Sequence, residues 1–198
     1  MEQDLKTEAT RKLISEKAFQ QFYKNGFKAT SVSEIMKDTG LSKGAFYHNF
    51  KNKDELGVLV VKAELHSRIY KAMISPLYAE GKAKPILKNT FLNKFEAFTS
   101  DEKIMGCPVN NLINEIGGTQ NLLNEALKEL IDTWVAAVVK IIKRGHIDGS
   151  IKTQTNPQQA AIYLVSSFEG MRGIRKLYTD DMNWNAYKAA LENYIDQL

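Results

Sequence analysis

The sequence predicts an all-α fold: a three-helix helix-turn-helix unit followed by a larger helical domain, about nine helices in all. Two patterns carry that reading. Apolar residues recur at three- and four-residue spacing along most of the chain, and alternating strand patterns are missing. Stop and start signals punctuate these stretches, with hydroxyl or amide residues ahead of them and glycine or proline behind. No internal repeat or low-complexity segment interrupts the series.

The first helix is expected from about Thr7 to Asn25, where Ile14, Ala18 and Phe22 share a face and Gly26 supplies the stop. A short second helix runs from about Ser31 to Thr39, opened by the hydroxyls of Thr30 and Ser31. Gly40-Leu41 makes a tight turn, and Ser42 caps a third short helix through about Asn49. Lys53-Asp54-Glu55 opens a long fourth helix, its acids placed where the helix dipole favours them, and Pro76 ends it. Its apolar side is Leu56, Leu59, Val60, Ala63 and the Ile69/Tyr70 pair. A fifth helix, about Pro85 to Phe98, carries Phe91, Phe95 and Phe98. A sixth begins near Cys107-Pro108 and stops at Gly117-Gly118. The seventh, about Asn121 to Lys143, bears a stripe of Leu123, Leu127, Leu130, Trp134, Val138 and Ile142. Gly145 to Gly149 read as a loop. Asn156-Pro157 starts an eighth helix reaching about Tyr178, and the last covers roughly Trp184 to Ile195. A domain boundary is expected near Lys51, dividing residues 1–50 from 51–198 without a flexible linker.

Composition narrows the class. At 43% hydrophobic and 25% charged, the 198 residues are ordinary for a globular protein. The polar start, the lack of an apolar run long enough for a bilayer and the single cysteine together predict a cytoplasmic protein without membrane spans or a disulfide framework. The net charge of +4 is unevenly placed. Lysines 17, 24, 28, 37, 43, 51 and 53 face only Glu34 and Asp38 over that stretch, a local excess suited to a polyanion.

The second and third helices suggest how such a polyanion is held. A helix-turn-helix wants glycine at its turn, where the backbone often has positive φ, and Gly40 sits there. Lys43 and Tyr47 share a face of the third helix, His48 neighbours them, and Gly44 clears the point of closest approach to a DNA groove. Lys43 suits either a guanine O6/N7 edge or a phosphate. The helix starts at Ser31 and Lys53 offer backbone N–H groups to phosphates.

The run Gly26-Phe27-Lys28-Ala29-Thr30-Ser31-Val32, then Ile35, Gly40-Leu41-Ser42-Lys43-Gly44, Phe46-Tyr47, Phe50 and Lys53-Asp54-Glu55-Leu56, closely resembles the TetR family of repressors over about the first 57 residues. The resemblance implies that Tyr47 and Lys53 contact phosphates, that Thr30 and Ser31 sit at the phosphate-facing start of the second helix, and that Ser42, Lys43, Gly44 and His48 lie at the groove. Met36 and Asn49 depart from the family pattern. The resemblance also implies an inducer pocket in the later helices, a homodimer through the last two, and double-stranded operator DNA as partner.

Tyr70, Phe91, Phe95, Trp134 and Phe168 are candidates to line that pocket, with Asn110, Asn111, Asn114 and Arg172 as polar contacts; core packing is the competing reading of such aromatic stripes. Gly106-Cys107-Pro108-Val109 resembles a Gly-Cys motif of the branch that includes N-ethylmaleimide-type repressors, and Lys176 matches a lysine of that branch. The resemblance implies a cysteine that senses electrophiles or oxidants; an ordinary pocket-wall cysteine is the competing reading. The small-molecule effector is not identified by the sequence.

His48, His66 and His146 lie on separate elements without metal-ligand spacing, and no phosphate-binding glycine loop follows a strand. No metal, cofactor or catalytic activity is therefore expected. The alternative, a helical ligand- or partner-binding protein without DNA binding, has the intact Lys43, Tyr47 and Lys53 set against it.

Overall fold

The computed structural model describes residues 2–119 and 121–198, and the regular structure among them is helical throughout. The chain packs as two compact units, Met1–Ser67 with Pro108–Leu130, and Arg68–Cys107 with Ile131–Leu198.

The first unit opens with α1 (Glu2–Asn25), longer at its start than the periodicity indicates. Ile14, Ala18, Phe19 and Phe22 are buried along it, and Phe22 meets Phe27 edge to face with ring centroids 4.9 Å apart. α2 (Val32–Thr39) starts on a reciprocal cap: the Glu34 N–H donates to Ser31 Oγ at 3.2 Å, and the Ser31 N–H donates to Glu34 Oε2 at 2.7 Å. Gly40 ends it at φ 69°, a left-handed conformation open to glycine at no steric cost. Ser42 accepts the Ala45 N–H at 3.3 Å and so starts α3 (Lys43–Asn49). Ile35, Met36, Phe46 and Phe50 close the core, each phenylalanine stabilising it by roughly 1.5–3 kcal/mol. The unusual Met36 simply fills that core. Asn49 is buried as well, its Nδ2 donating to the Ala45 carbonyl at 2.8 Å.

The next helical run, α4 (53–78), begins as Lys53–Val60 with Asn52 accepting the Glu55 N–H at 2.8 Å. It contains π-helical stretches at Val61–Leu65 and Tyr70–Ile74, and ends in a 3₁₀ turn, Ser75–Tyr78, that includes Pro76. Leu56, Val60, Leu65, Ile69, Met73 and Leu77 are its buried residues at four- and five-residue steps. Such steps overrun an α-helical turn, and the wider π turns take up the difference.

The packing unit that holds the helix-turn-helix extends beyond residue 50. The start of α4, together with α7 (Pro108–Ile116) and the start of α8 (Leu122–Asp148), belongs with the helix-turn-helix. Gly57 shows the reason: a Cβ there would stand 3.0 Å from both Leu123 and Phe27 side chains.

The second unit holds α5 (Ala83–Glu96), α6 (Ser100–Met105), α9 (Pro157–Ile174) and α10 (Met182–Gln197). α6 was not expected, although Thr99 and Glu102 form a complete capping box at its start. The expected loop at Gly145 is also corrected, because α8 continues to Asp148. Ile151 packs against buried Gly145 where any Cβ would come within 2.6 Å, so the helix passes through glycine for room. Asn156 caps α9 through the Gln158 and Gln159 N–H groups, both at 3.0 Å, and a 3₁₀ turn, Arg175–Leu177, follows it. Among the described residues, no helix is long and apolar enough to cross a membrane.

Candidate nucleic-acid interface and effector site

α3 is anchored by Phe46, which is fully buried, and by Phe50 just beyond its end. Those anchors turn Lys43, Gly44, Tyr47 and His48 together to solvent. Tyr47 is 57% exposed, held edge-on by the Phe46 ring at 5.2 Å, so its phenol stands away from the surface without being loose. A Cβ on Gly44 would meet nothing nearer than Ser42 Oγ at 3.6 Å. Nothing inside the protomer requires glycine there, whereas an object lying along α3 would. Arg11 of α1 reaches the far end of α3: its guanidinium donates to the Asn49 carbonyl and lies 4.4 Å over the Phe50 ring. Sequence reasoning missed Arg11, whose only signal was a cation at mid-helix.

Ser31 and Ser42 are exposed caps, as expected for residues beside a backbone polyanion. Thr30 requires a correction. Its side chain is 2% exposed and its hydroxyl donates to the Gly26 carbonyl at 2.7 Å, so it braces the turn from within. Lys53 requires one too. Its ammonium donates to the carbonyls of Phe27, Lys28 and Thr30 at 2.7, 3.3 and 2.9 Å and lies 4.6 Å over the Phe27 ring. All three ammonium protons are thus directed into the 26–30 turn rather than outward.

The other face of the same turn meets Glu115 from α7, which sequence reasoning did not connect with the head. Its carboxylate accepts the Phe27 N–H at 3.0 Å and the Lys28 N–H at 2.8 Å. The 88-residue separation leaves no local signal for this pairing.

The expected effector residues do not form one pocket. Phe91, Phe95, Trp134 and Phe168 are at most 1% exposed and packed ring against ring, with Phe168 centroids 5.4, 5.2 and 6.0 Å from Phe91, Phe95 and Trp134. They are core, because aromatic residues of α5, α8 and α9 face one another ring against ring. Trp184 joins them, 4.3 Å from Phe95, as does Tyr187, whose hydroxyl donates to Ser167 Oγ at 2.9 Å. Burial pushes the Tyr187 phenol up to about 12. Tyr70 is 45% exposed, and Asn110, Asn111 and Asn114 belong to α7 in the first unit.

A second cluster does assemble at Gly106. The Arg172 guanidinium donates to the Gly106 carbonyl at 3.1 Å, pairs with Glu169 at 3.6 Å and lies 4.5 Å over the Phe98 ring. Lys176 packs so closely that a Cβ on Gly106 would meet its Cδ at 2.8 Å. Cys107 is 1% exposed. Burial pushes the Glu169 carboxyl up, against the opposing pull of the Arg172 guanidinium and the Cys107 thiol.

An open cavity of about 520 Å³ lies elsewhere in the second unit, lined by residues including Ala72, Pro76, Ile86, Asn89, Asn93 and Lys94. It is apolar along α4 and carries amides and one ammonium along α5. Burial pushes the Lys94 ammonium down, while Glu102, 3.7 Å away, pulls it back. None of the expected effector residues lines it. Among the described residues, no group of histidine, cysteine and carboxylate side chains is arranged to hold a metal.

Two family models match this chain. Residues 14–57 match the model of bacterial regulatory proteins of the tetR family, and residues 87–191 match the tetracyclin repressor-like C-terminal domain. The HTH-type transcriptional repressor DhaR of Mycobacterium sp. (strain GP1) is 26% identical over 160 residues, covering 81% of this chain and 79% of that protein. The repressor NemR of Escherichia coli (strain K12) is 24% identical over 127 residues, 63% of this chain and 60% of NemR. The crystal structure of a TetR transcriptional regulator from Chloroflexus aurantiacus J-10-FL superposes with a TM-score of 0.84 at 23% identity, covering 97% of this chain and 96% of that one.

Proposed function

The chain belongs to the TetR family of bacterial regulators and is a DNA-binding transcriptional regulator, and from that premise we propose an effector-released repressor that grips a palindromic operator as a homodimer. The observation that carries the reading is the solvent-facing set Lys43, Gly44, Tyr47 and His48 on an α3 whose other side is locked into the core. A rigid helix presenting a cation, a phenol and a bare glycine fits a major groove, with exposed Lys28, Lys37 and Lys51 available to flanking phosphates. We assign no catalytic activity to it, and place it in the cytoplasm with the chromosome it reads.

The last two helices supply the dimer face. Ile162, Tyr163 and Ile174 are 47, 50 and 51% exposed along α9. Ala186, Ala189 and Ala190 are exposed on α10, and Tyr163 and Tyr194 join the two helices with ring centroids 4.3 Å apart. Gly170 lies on the same stripe, and a Cβ there would meet nothing within 4 Å. A glycine that its own protomer does not need suits close approach by a second backbone. Two heads on one palindrome then bind far more tightly than one.

The effector seat we assign to the 520 Å³ cavity, a size suited to a small organic molecule. Release by such a ligand is favoured over release by an electrophile at Cys107. That thiol is 1% exposed and hydrogen-bonded to the Glu169 carboxylate, whereas reactive cysteines are accessible to their reagents.

Selection of bound duplexes from a random pool, followed by mobility shifts, tests the reading. An inverted repeat bound by two protomers is expected. Tyr47→Ala should weaken binding to selected and random duplexes alike, and no binding to any duplex at low ionic strength would overturn the assignment. Release that electrophiles cause in the wild type and not in Cys107→Ser would restore the cysteine as sensor.

A further inference from the structure

We propose that Glu115 is a positioning residue whose carboxylate ties the seating of α7 to the DNA-reading head, so that operator affinity depends on where α7 stands. The inference deepens the reading of the chain as an effector-released DNA binder and rests on it.

The 26–30 turn is gripped from both sides by opposite charges. Glu115 takes the N–H groups of Phe27 and Lys28 at 3.0 and 2.8 Å, while Lys53 takes the carbonyls of those same residues and of Thr30. Each contact is charge-assisted, the stronger class of hydrogen bond. The turn is shaped to admit the carboxylate. Gly26 has φ +90°, and a Cβ there would stand 3.0 Å from Glu115 Oε1. Two independent constraints, conformation and clearance, therefore meet at one residue. The turn leads directly into the Ser31 cap of α2, so its orientation sets where α2, and through Gly40 α3, begins.

Glu115 does nothing favourable for its own helix. It stands in the last turn of α7, where a negative charge opposes the helix dipole. Its position is explained by what it holds. At the other end, α7 starts at Pro108, the residue after Cys107, so that a nine-residue rod joins the Gly106-Cys107 segment covalently to the turn's acceptor. A shift or loosening at Pro108 is delivered at Phe27 and Lys28, provided Glu115 makes the connection.

The experiment uses the full chain, amide hydrogen exchange and operator binding by anisotropy, with no effector needed. Pro108→Gly loosens the first turn of α7, and Glu115→Ala removes both acceptors while favouring the helix. In the wild-type background, Pro108→Gly is expected to raise exchange at Phe27 and Lys28 about tenfold and weaken operator binding about fivefold; in Glu115→Ala it should change either by less than about twofold. Glu115→Gln, which keeps one acceptor oxygen, should fall between. A residue that merely stabilised the head would leave the two effects additive. Equal responses to Pro108→Gly in both backgrounds, or none in the wild type, would overturn the proposal. Where Pro108→Gly does not fold, Pro108→Ala takes its place under the same criteria. A wild type that binds no duplex would instead defeat the functional reading, and the exchange arm would still judge the Glu115 connection.

Discussion

The turn at residues 26–30 and the aromatic cluster around Phe168 are both junctions where several helices meet, but they hold by different forces. At the turn, a carboxylate and an ammonium grip five backbone groups of three residues, Phe27, Lys28 and Thr30, with Lys53 also over the Phe27 ring. In the cluster, Phe91, Phe95, Phe98 and Trp134 pack ring to ring with Phe168, and Trp184 packs on Phe95 and Phe98. Polar grips are directional and can be altered by small displacements. Ring burial draws on the non-directional hydrophobic effect, and is strong in sum and costly to rearrange. A regulator needs one junction of each kind, a stiff block and a joint sensitive to position.

The largest test of that contrast is Phe168→Ala. Removing the ring shared by four aromatic neighbours should destabilise the second unit by about 3–5 kcal/mol, read as a lower thermal midpoint. A loss under about 1 kcal/mol would mean that the cluster is loosely packed and the contrast is false. Next comes Lys53→Met, which keeps the apolar stem and deletes the ammonium. Three carbonyls lose a charged donor, and a loss of roughly 1–3 kcal/mol is expected in denaturant melts of the head. If methionine matched lysine in stability, packing on Phe27 rather than charge would be holding the turn. Ser31→Ala should cost about 1 kcal/mol by removing the cap of α2. Hydrogen exchange in α2 would locate that loss.

The smallest effect concerns pH. Hydrogen bonds from the Ser31 backbone and side chain hold the Glu34 carboxyl below its ordinary value of 4.5. Its contribution is therefore complete above pH 4.5 and disappears as pH falls through the lowered value. Wild type should lose more stability than Glu34→Gln between pH 5 and pH 3, a window set by about one unit either side of the carboxyl's range. Parallel curves would remove Glu34 from the account of the head.

The two junctions also differ in how far they were legible. Ser31, Gly40 and Ser42 announced their roles because caps and left-handed turns are decided within three or four residues. The same local logic identified the exposed face of α3. Lys53 was recognised as important and given the wrong direction, since residue spacing does not say which way a long ammonium turns. Glu115 was invisible as a partner of Phe27, for the bond spans most of the first unit's sequence. Phe91, Phe95, Trp134 and Phe168 were read as pocket wall because a stripe at helical spacing looks the same whether it faces a void or another stripe. The short helix Ser100–Met105, by contrast, was legible in Thr99 and Glu102 and was overlooked.

The open ground around Gly170 has a practical consequence. The protomer is indifferent to what stands there, and the one native thiol, Cys107, is sealed at 1% exposure. Gly170→Cys, on the proposed dimer face, therefore puts the one accessible thiol of each copy where a second copy's would meet it. Mild oxidation would then link two copies through that thiol, and a chain that stays single on a non-reducing gel would move the proposed dimer face elsewhere.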